Sequence, residues 1–201
     1  MHYIFCLIGK SACGKDTVYR KLLKDPRLDL TRLVTYTTRP IREGEQDGRE
    51  YHFRTVDQFR RSLEEGKVLE YRVYDTVHGK WYYYTEIDGQ IDLDKASCLL
   101  IGTVEMFVSL QKYLGRDKVI PLYLEVEDGE RLSRALRRER KQKEPKYAEL
   151  CRRFLADSRD FAPEKLREAG IDKIFDNSDS SACAEVIAAY ILDCVSRCPY
   201  I

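Results

Sequence analysis

The sequence predicts an α/β fold, a parallel, doubly wound sheet flanked by helices, and three observations carry that expectation. Short apolar runs alternate with longer helical patterns, the rhythm of strand–helix–strand units. A glycine-bearing loop separates the first apolar run from the first helical pattern. One stretch, residues 36–95, breaks the rhythm, being rich in Thr, Arg, Gly and Tyr, and reads as a subdomain inserted into the core.

In chain order, the core strands are YIFCLI (3–8), SCLLIG (97–102), KVIPLYLEV (118–126) and DKIFDN (172–177), each short and apolar. The helical patterns are TVYRKLLK after the loop, TVEMFVSLQKYL (103–114), EDGERLSRALRRERKQ (127–142), YAELCRRFLADS (147–158) and CAEVIAAYILDCV (183–195). Within 36–95, VLEYRVY and WYYYT are strand-like.

With 201 residues, 43% hydrophobic and 34% charged, the chain suits one compact domain with a full core. The net charge of +1 argues neither for nucleic acid nor for a membrane surface. The seven cysteines (Cys6, Cys13, Cys98, Cys151, Cys183, Cys194 and Cys198) are odd in number, scattered and without a C-x-x-C pair, so the expected setting is reducing and cytoplasmic. Cys194 and Cys198 share a helical pattern but lack companion ligands for zinc, and His2, His52 and His78 form no pattern. No apolar run approaches the roughly 20 residues of a membrane span, and the N-terminus has no signal-peptide features, so a soluble, unprocessed protein is expected.

The first chemical motif is GKSACGKDT, residues 9–17. Gly9, Gly14 and Lys15 fall in register with the phosphate-loop pattern G-x-x-x-x-G-K-[ST], while Asp16 stands where a hydroxyl is expected. Glycines let the backbone of Lys10, Ser11, Ala12 and Cys13 curl so that N–H groups point inward, and the following helix adds its positive end. Lys15 then reaches the terminal phosphates of a nucleotide, and the fold becomes a P-loop NTPase type. Cys13, beside Lys15 in this positive nest, is expected to favour its thiolate. Thr17 does not replace the missing hydroxyl, because one residue further along a helix turns by about 100°. Asp16 therefore either holds Mg²⁺, a hard cation that accepts carboxylate oxygens, or caps the helix.

The second constellation is TTRPIREGEQDGREYHF, residues 37–53. Arg39 and Arg42, held on a loop by Pro40, can grip one phosphate dianion, with Tyr51 adding a phenol. The same composition also suits a solvated Arg/Glu-rich loop. The third is a basic stretch, Arg131 to Arg153, with ten Lys or Arg against three acids. Its one aromatic residue, Tyr147, argues against a nucleic-acid face.

On these residues the sequence resembles guanylate kinase, a nucleoside monophosphate kinase that moves a phosphoryl group from ATP to GMP. The resemblance covers the loop, the family's T-T-R-x-x-R-x-G-E-x-x-G-x-x-Y-x-F as residues 37–53, and Val56, Asp57 and Phe59 beyond it. Val68-Leu69-Glu70 matches F-[IL]-E. Tyr82-Tyr83-Tyr84-Thr85 matches Y-Y-G-[ST] less well, at a longer spacing with VHGK intervening. The resemblance implies a core of 1–35, 96–126 and 154–201, an acceptor-binding subdomain of about 36–95 and a helical lid of about 127–153. It implies Glu70 on the guanine N1–H and N2 amine, a donor pair that adenine lacks. Thr35 and Thr85 would support that contact, and Tyr83 would join Arg39, Arg42 and Tyr51 on the acceptor phosphate. Lys15 with Arg134, Arg138 and Arg153 of the lid would act on the transferring group, and Asn177 would lie near the donor adenine. Mg²⁺ would accompany ATP; the implied partners are ATP and GMP, with no nucleic acid or membrane, in a monomer or homodimer.

Two departures stand out. Besides Asp16, the strand that ends L-D-I-D in the family reads Leu99-Leu100-Ile101-Gly102-Thr103 here, without acids. The altered magnesium surroundings leave open a binding module that has lost the reaction, and the shifted Tyr83–Thr85 segment leaves open a kinase for another monophosphate. The expectation adopted is a magnesium-dependent, ATP-using guanylate kinase, with metal-holding charge moved to Asp16.

Overall fold

The computed structural model describes residues 1–42, 44–76 and 79–196; His78 and Cys198 lie outside the described residues. Strands β1 (Ile4–Gly9), β2 (Leu30–Arg32), β7 (Ser97–Ile101), β8 (Val119–Glu125) and β9 (Ile174–Asp176) form one sheet in the order β2-β7-β1-β8-β9. Every pairing in it is parallel. β1 is central and buried throughout, as expected of an unbroken apolar run covered on both faces. Its alternation sends Ile4, Cys6 and Ile8 into one core and Phe5 and Leu7 into another. Helix α3 (Val104–Leu114) packs into the first core, and α1 (Lys15–Leu22) and α7 (Ser180–Ser196) into the second. This is the parallel, helix-flanked α/β architecture expected from the sequence.

A second sheet, order β4-β3-β6-β5, is built from β3 (Tyr36–Thr37), β4 (His52–Phe53), β5 (Val68–Thr76) and β6 (Gly79–Glu86). Helix α2 (Val56–Glu64) drives Phe59 against Tyr36 and Tyr84, forming a separate small core. Thr55 starts α2 with a capping box, its hydroxyl accepting from Gln58 N–H while Gln58 Oε1 accepts from Thr55 N–H. Sequence periodicity does not resolve β2, β3, β4, α2 or α6 (Pro163–Glu168). The strands are two or three residues long, and α2 and α6 each bury one side chain, so no period has room to show.

Helices α4 (Asp128–Glu139) and α5 (Tyr147–Asp160) carry the basic stretch. The expected lid boundary at residue 153 falls inside α5. Asp16 is not the helix cap: Gly14 is the N-cap of α1, φ 92°, with no side-chain capping bond. That leaves the Asp16 carboxylate without a local backbone role.

Candidate active site

The phosphate loop leaves the carboxyl end of β1 and enters α1. A Cβ on Gly9 would lie 2.6 Å from Leu124 O, and one on Gly14 would lie 2.5 Å from Asn177 Nδ2. Neither position tolerates a side chain, which is the physical content of the two glycines. Lys15 Nζ donates to Gly9 O at 2.6 Å and to Lys10 O at 3.0 Å, so the ammonium lies folded over the loop's own carbonyls.

Two supports beneath the loop were not legible as such. Asn177 is fully buried and donates from Nδ2 to Cys13 O at 2.6 Å, so it braces the loop. Its Oδ1 is buried without a hydrogen bond. Arg131, 1% exposed, stacks on Phe154 at 4.4 Å and donates to Ser11 O and Asp157 Oδ2 at 3.0 and 2.8 Å. Asp157 in turn accepts from Ser11 N–H at 2.8 Å, and Asp128 accepts from both Arg131 Nε and Lys10 Nζ. The basic stretch thus contains one arginine that is structural and buried. A pair 26 residues apart on different helices leaves no local sequence signal.

Cys13 does not behave as expected. It is fully buried in the α1/α7 core, and burial pushes its thiol up, with Lys15 only partly pulling it back. The desolvation of a thiolate outweighs the positive nest.

Asp16 is exposed on the first turn of α1, and Arg20 Nε donates to its carbonyl at 3.1 Å. Among the described residues, no group of three or more His, Cys, Asp or Glu is arranged to hold a metal. A magnesium ion taking most ligands from phosphates and water needs one or two protein carboxylates, and Asp16 suits that donor set in kind. Thr17, half-buried on the same turn, donates its N–H to Gly14 O. Where the family's strand carries acids, a Cβ on Gly102 would lie 2.7 Å from Cys6 Sγ, and the Thr103 hydroxyl caps α3. No acid fits at residue 102 without repacking β1.

On the second sheet, Thr85 donates its hydroxyl to Glu70 Oε1 at 2.8 Å. The Glu70 side chain is 7% exposed, and burial pushes its carboxyl above the ordinary range, against the pull of Arg72 and Thr85. Arg39 is buried, 4% exposed, with Nη1 and Nη2 held by the two oxygens of Glu45 at 2.7 and 2.6 Å. Its guanidinium lies 5.3 Å from the Tyr51 ring centroid, and Tyr51 meets Tyr83 edge-on at 5.6 Å. Arg42 is exposed, and its N–H donates to Glu45 Oε2 at 2.8 Å. Glu45 therefore organises both arginines, a role its place in the 37–53 motif could have suggested. Thr35 lies beside β3 with its carbonyl accepting from His52 N–H at 2.8 Å. Burial, then Tyr83, pushes the Tyr51 phenol up; Arg39 and Arg72 pull it down, and Asp16 adds to the push. The Tyr51 phenol thus lies within electrostatic reach of the loop helix.

The expected lid arginines divide. Arg134 donates to Asn177 O and Ser178 O at 3.3 and 3.1 Å, and a Cβ on Gly14 would lie 3.9 Å from its Nη1. Arg138 is exposed at the far end of α4, and Arg153 pairs with Glu149 of its own helix at 3.6 Å. Among the described residues, neither reaches the loop with a hydrogen bond or ion pair.

The family model described as guanylate kinase matches residues 2–180. Guanylate kinase of Cupriavidus pinatubonensis is 44% identical over 80 residues, covering 39% of this chain and 35% of that protein. That of Listeria monocytogenes is 42% identical over 71 residues, 35% of each chain. That of Anaplasma phagocytophilum is 28% identical over 135 residues, 66% of this chain and 62% of the relative. The match thus spans about a third of the length of the first two relatives. A crystal structure of guanylate kinase from Anaplasma phagocytophilum superposes with a TM-score of 0.68 at 21% identity, over 96% of this chain and 85% of that one, a likeness of fold. With the loop, the acceptor motif and a family match along nearly the whole sequence, the chain belongs to the guanylate kinase family.

Proposed function

We propose that the chain transfers the γ-phosphoryl group of ATP to GMP, giving ADP and GDP. The observation that carries this reading is the Glu70–Thr85 pair, a sheltered carboxylate whose hydroxyl partner leaves acceptor capacity for guanine's N1–H and N2 amine. Adenine presents no such donor pair. The second sheet, residues 36–95, is the acceptor-binding subdomain; the α4–α5 region, 127–153, is the lid; the remainder is the core. Thr35 supports the base, while Arg39, Arg42, Tyr51 and Tyr83 bind the acceptor phosphate. Residues 9–17 hold the ATP phosphates on backbone N–H groups, with Asn177 bracing them, and Lys15 turns from the loop carbonyls to the phosphate oxygens when nucleotide enters. Lid closure brings Arg134, Arg138 and Arg153 towards the transferring group, because phosphoryl transfer needs alignment and charge neutralisation more than covalent chemistry. Asp16 would hold the Mg²⁺ that accompanies ATP, directly or through water, and the ion would neutralise phosphate charge.

The protein works on small nucleotides, without nucleic acid or membrane, as a monomer or homodimer in the cytoplasm. Among the described residues, no helix is long and apolar enough to cross a membrane. A coupled ADP-release assay against GMP, dGMP, AMP, UMP and CMP tests the reading. Turnover with GMP and dGMP alone is expected. GMP binding by calorimetry without turnover would instead make the chain a binding module, and turnover with another base would reassign the acceptor.

A further inference from the structure

The face of β5 that carries Glu70 also carries Arg72 and Tyr74, because side chains two apart in a strand point the same way. Across the β5–β6 ladder these residues stand opposite Thr85, Tyr83 and Trp81 in turn. Glu70 and Thr85 form the base-reading rung, joined by their 2.8 Å hydrogen bond. The next rung sets a guanidinium beside Tyr83, the phenol assigned to the acceptor phosphate, which in turn meets Tyr51. Arg72 was not among the residues singled out from the sequence.

Its surroundings are those of a binding group more than of a structural ion pair. Arg72 Nε is buried and makes no hydrogen bond; its nearest anion, Glu70 Oε2, lies 3.7 Å away, beyond hydrogen-bond distance. Along with Arg39, Arg72 is a cation that pulls the half-buried Tyr51 phenol down, so its charge reaches Tyr51. Arg39 has both terminal nitrogens committed to Glu45, and Arg42 stands exposed at the rim. To a phosphate dianion held by Arg39, Arg42, Tyr51 and Tyr83, the guanidinium on the Tyr83 rung would add a further donor.

We infer that Arg72 is an additional acceptor-binding residue, its guanidinium donating to an oxygen of the nucleoside monophosphate's phosphate between Glu70 and the phenols of Tyr51 and Tyr83. The inference rests on the proposed acceptor site. Arg72 then ties the two halves of acceptor recognition together, steadying the base-reading carboxylate through space and neutralising the phosphate through hydrogen bonds.

Calorimetry of wild type and Arg72→Gln with GMP, guanosine and ATP separates this role from a merely structural one. Loss of a charge-assisted contact to phosphate should weaken GMP binding by about tenfold or more while leaving guanosine and ATP affinities within about twofold. Arg72→Lys, which keeps the charge, should recover part of the GMP loss. Equal weakening of GMP and guanosine would show that Arg72 acts only by orienting Glu70, and unchanged GMP affinity would show no role; either result overturns the inference. A wild-type protein that binds neither GMP nor guanosine overturns the acceptor site itself, and with it this inference.

Discussion

In the proposed reaction, Glu70 is the side chain that selects the base. An amide in its place can accept one guanine donor but presents its own N–H to the other, and a buried donor facing a donor costs about 1–3 kcal/mol. Glu70→Gln should therefore lower kcat/KM for GMP by roughly 10- to 100-fold and leave ATP binding unchanged; unaltered GMP kinetics would remove Glu70 from the base site. The same residue sets a pH dependence. Burial raises its carboxyl, and in the proposed complex the ionised form accepts from guanine, so kcat/KM for GMP should fall as pH drops through a midpoint raised from the ordinary carboxylate value. The sign for stability is opposite: a raised folded-state pKa favours the fold while the group is protonated and loses that contribution as pH rises through it. Glu70→Gln should accordingly unfold no more easily than wild type at neutral pH, a check by thermal melting that separates lost function from lost structure. Asp16 is the second residue to test. With its carboxylate replaced in Asp16→Ser, ATP should bind more tightly without magnesium, because a repulsion is gone, and activity should show weaker magnesium dependence and a lower maximal rate. An identical metal midpoint and rate in a magnesium titration would remove Asp16 from the metal.

At the scale of elements, the second sheet depends on a small core and one cap. Phe59 is 2% exposed and stacks on Tyr82 at 4.3 Å, with Tyr84 at 4.9 Å. Phe59→Ala should cost about 3–5 kcal/mol of stability in denaturant unfolding, since so few neighbours can close the cavity. Thr55→Ala, which breaks the capping box of α2 at the surface, should cost only about 1 kcal/mol. If the two variants unfold alike, the Phe59 cluster is not what holds α2 to the sheet.

Across the whole molecule, Arg131 links parts that are distant in sequence: the loop at Ser11, α4 at Asp128 and α5 at Asp157. Removing one partner of a buried pair leaves an uncompensated charge, so Asp157→Ala should destabilise the protein by about 3 kcal/mol in urea unfolding. Added salt should change that difference little, because the Arg131 guanidinium is screened from water. A loss under about 0.5 kcal/mol would show that Asp128 alone neutralises Arg131.

How much of this was legible follows from what each feature requires. Apolar runs long enough to repeat, such as YIFCLI and CAEVIAAYILDCV, revealed the parallel core, because burial on both faces of a sheet selects composition directly. The phosphate loop and the 37–53 motif were legible because their chemistry demands particular residues at fixed local spacing. Strands of two or three residues, such as Tyr36–Thr37, were not, since tertiary pairing and not periodicity makes them strands. Nor could sequence spacing distinguish the buried Arg131 from the exposed Arg138, or show that Cys13 packs inward beneath the nest. The sequence by itself determined the fold class, the loop and the acceptor motif, because local residue types carry those. Tertiary structure alone decided which charges pair, which are buried and that Arg72 stands beside Glu70 on the Tyr83 rung, because desolvation and through-space charge depend on neighbours that only the folded chain brings together.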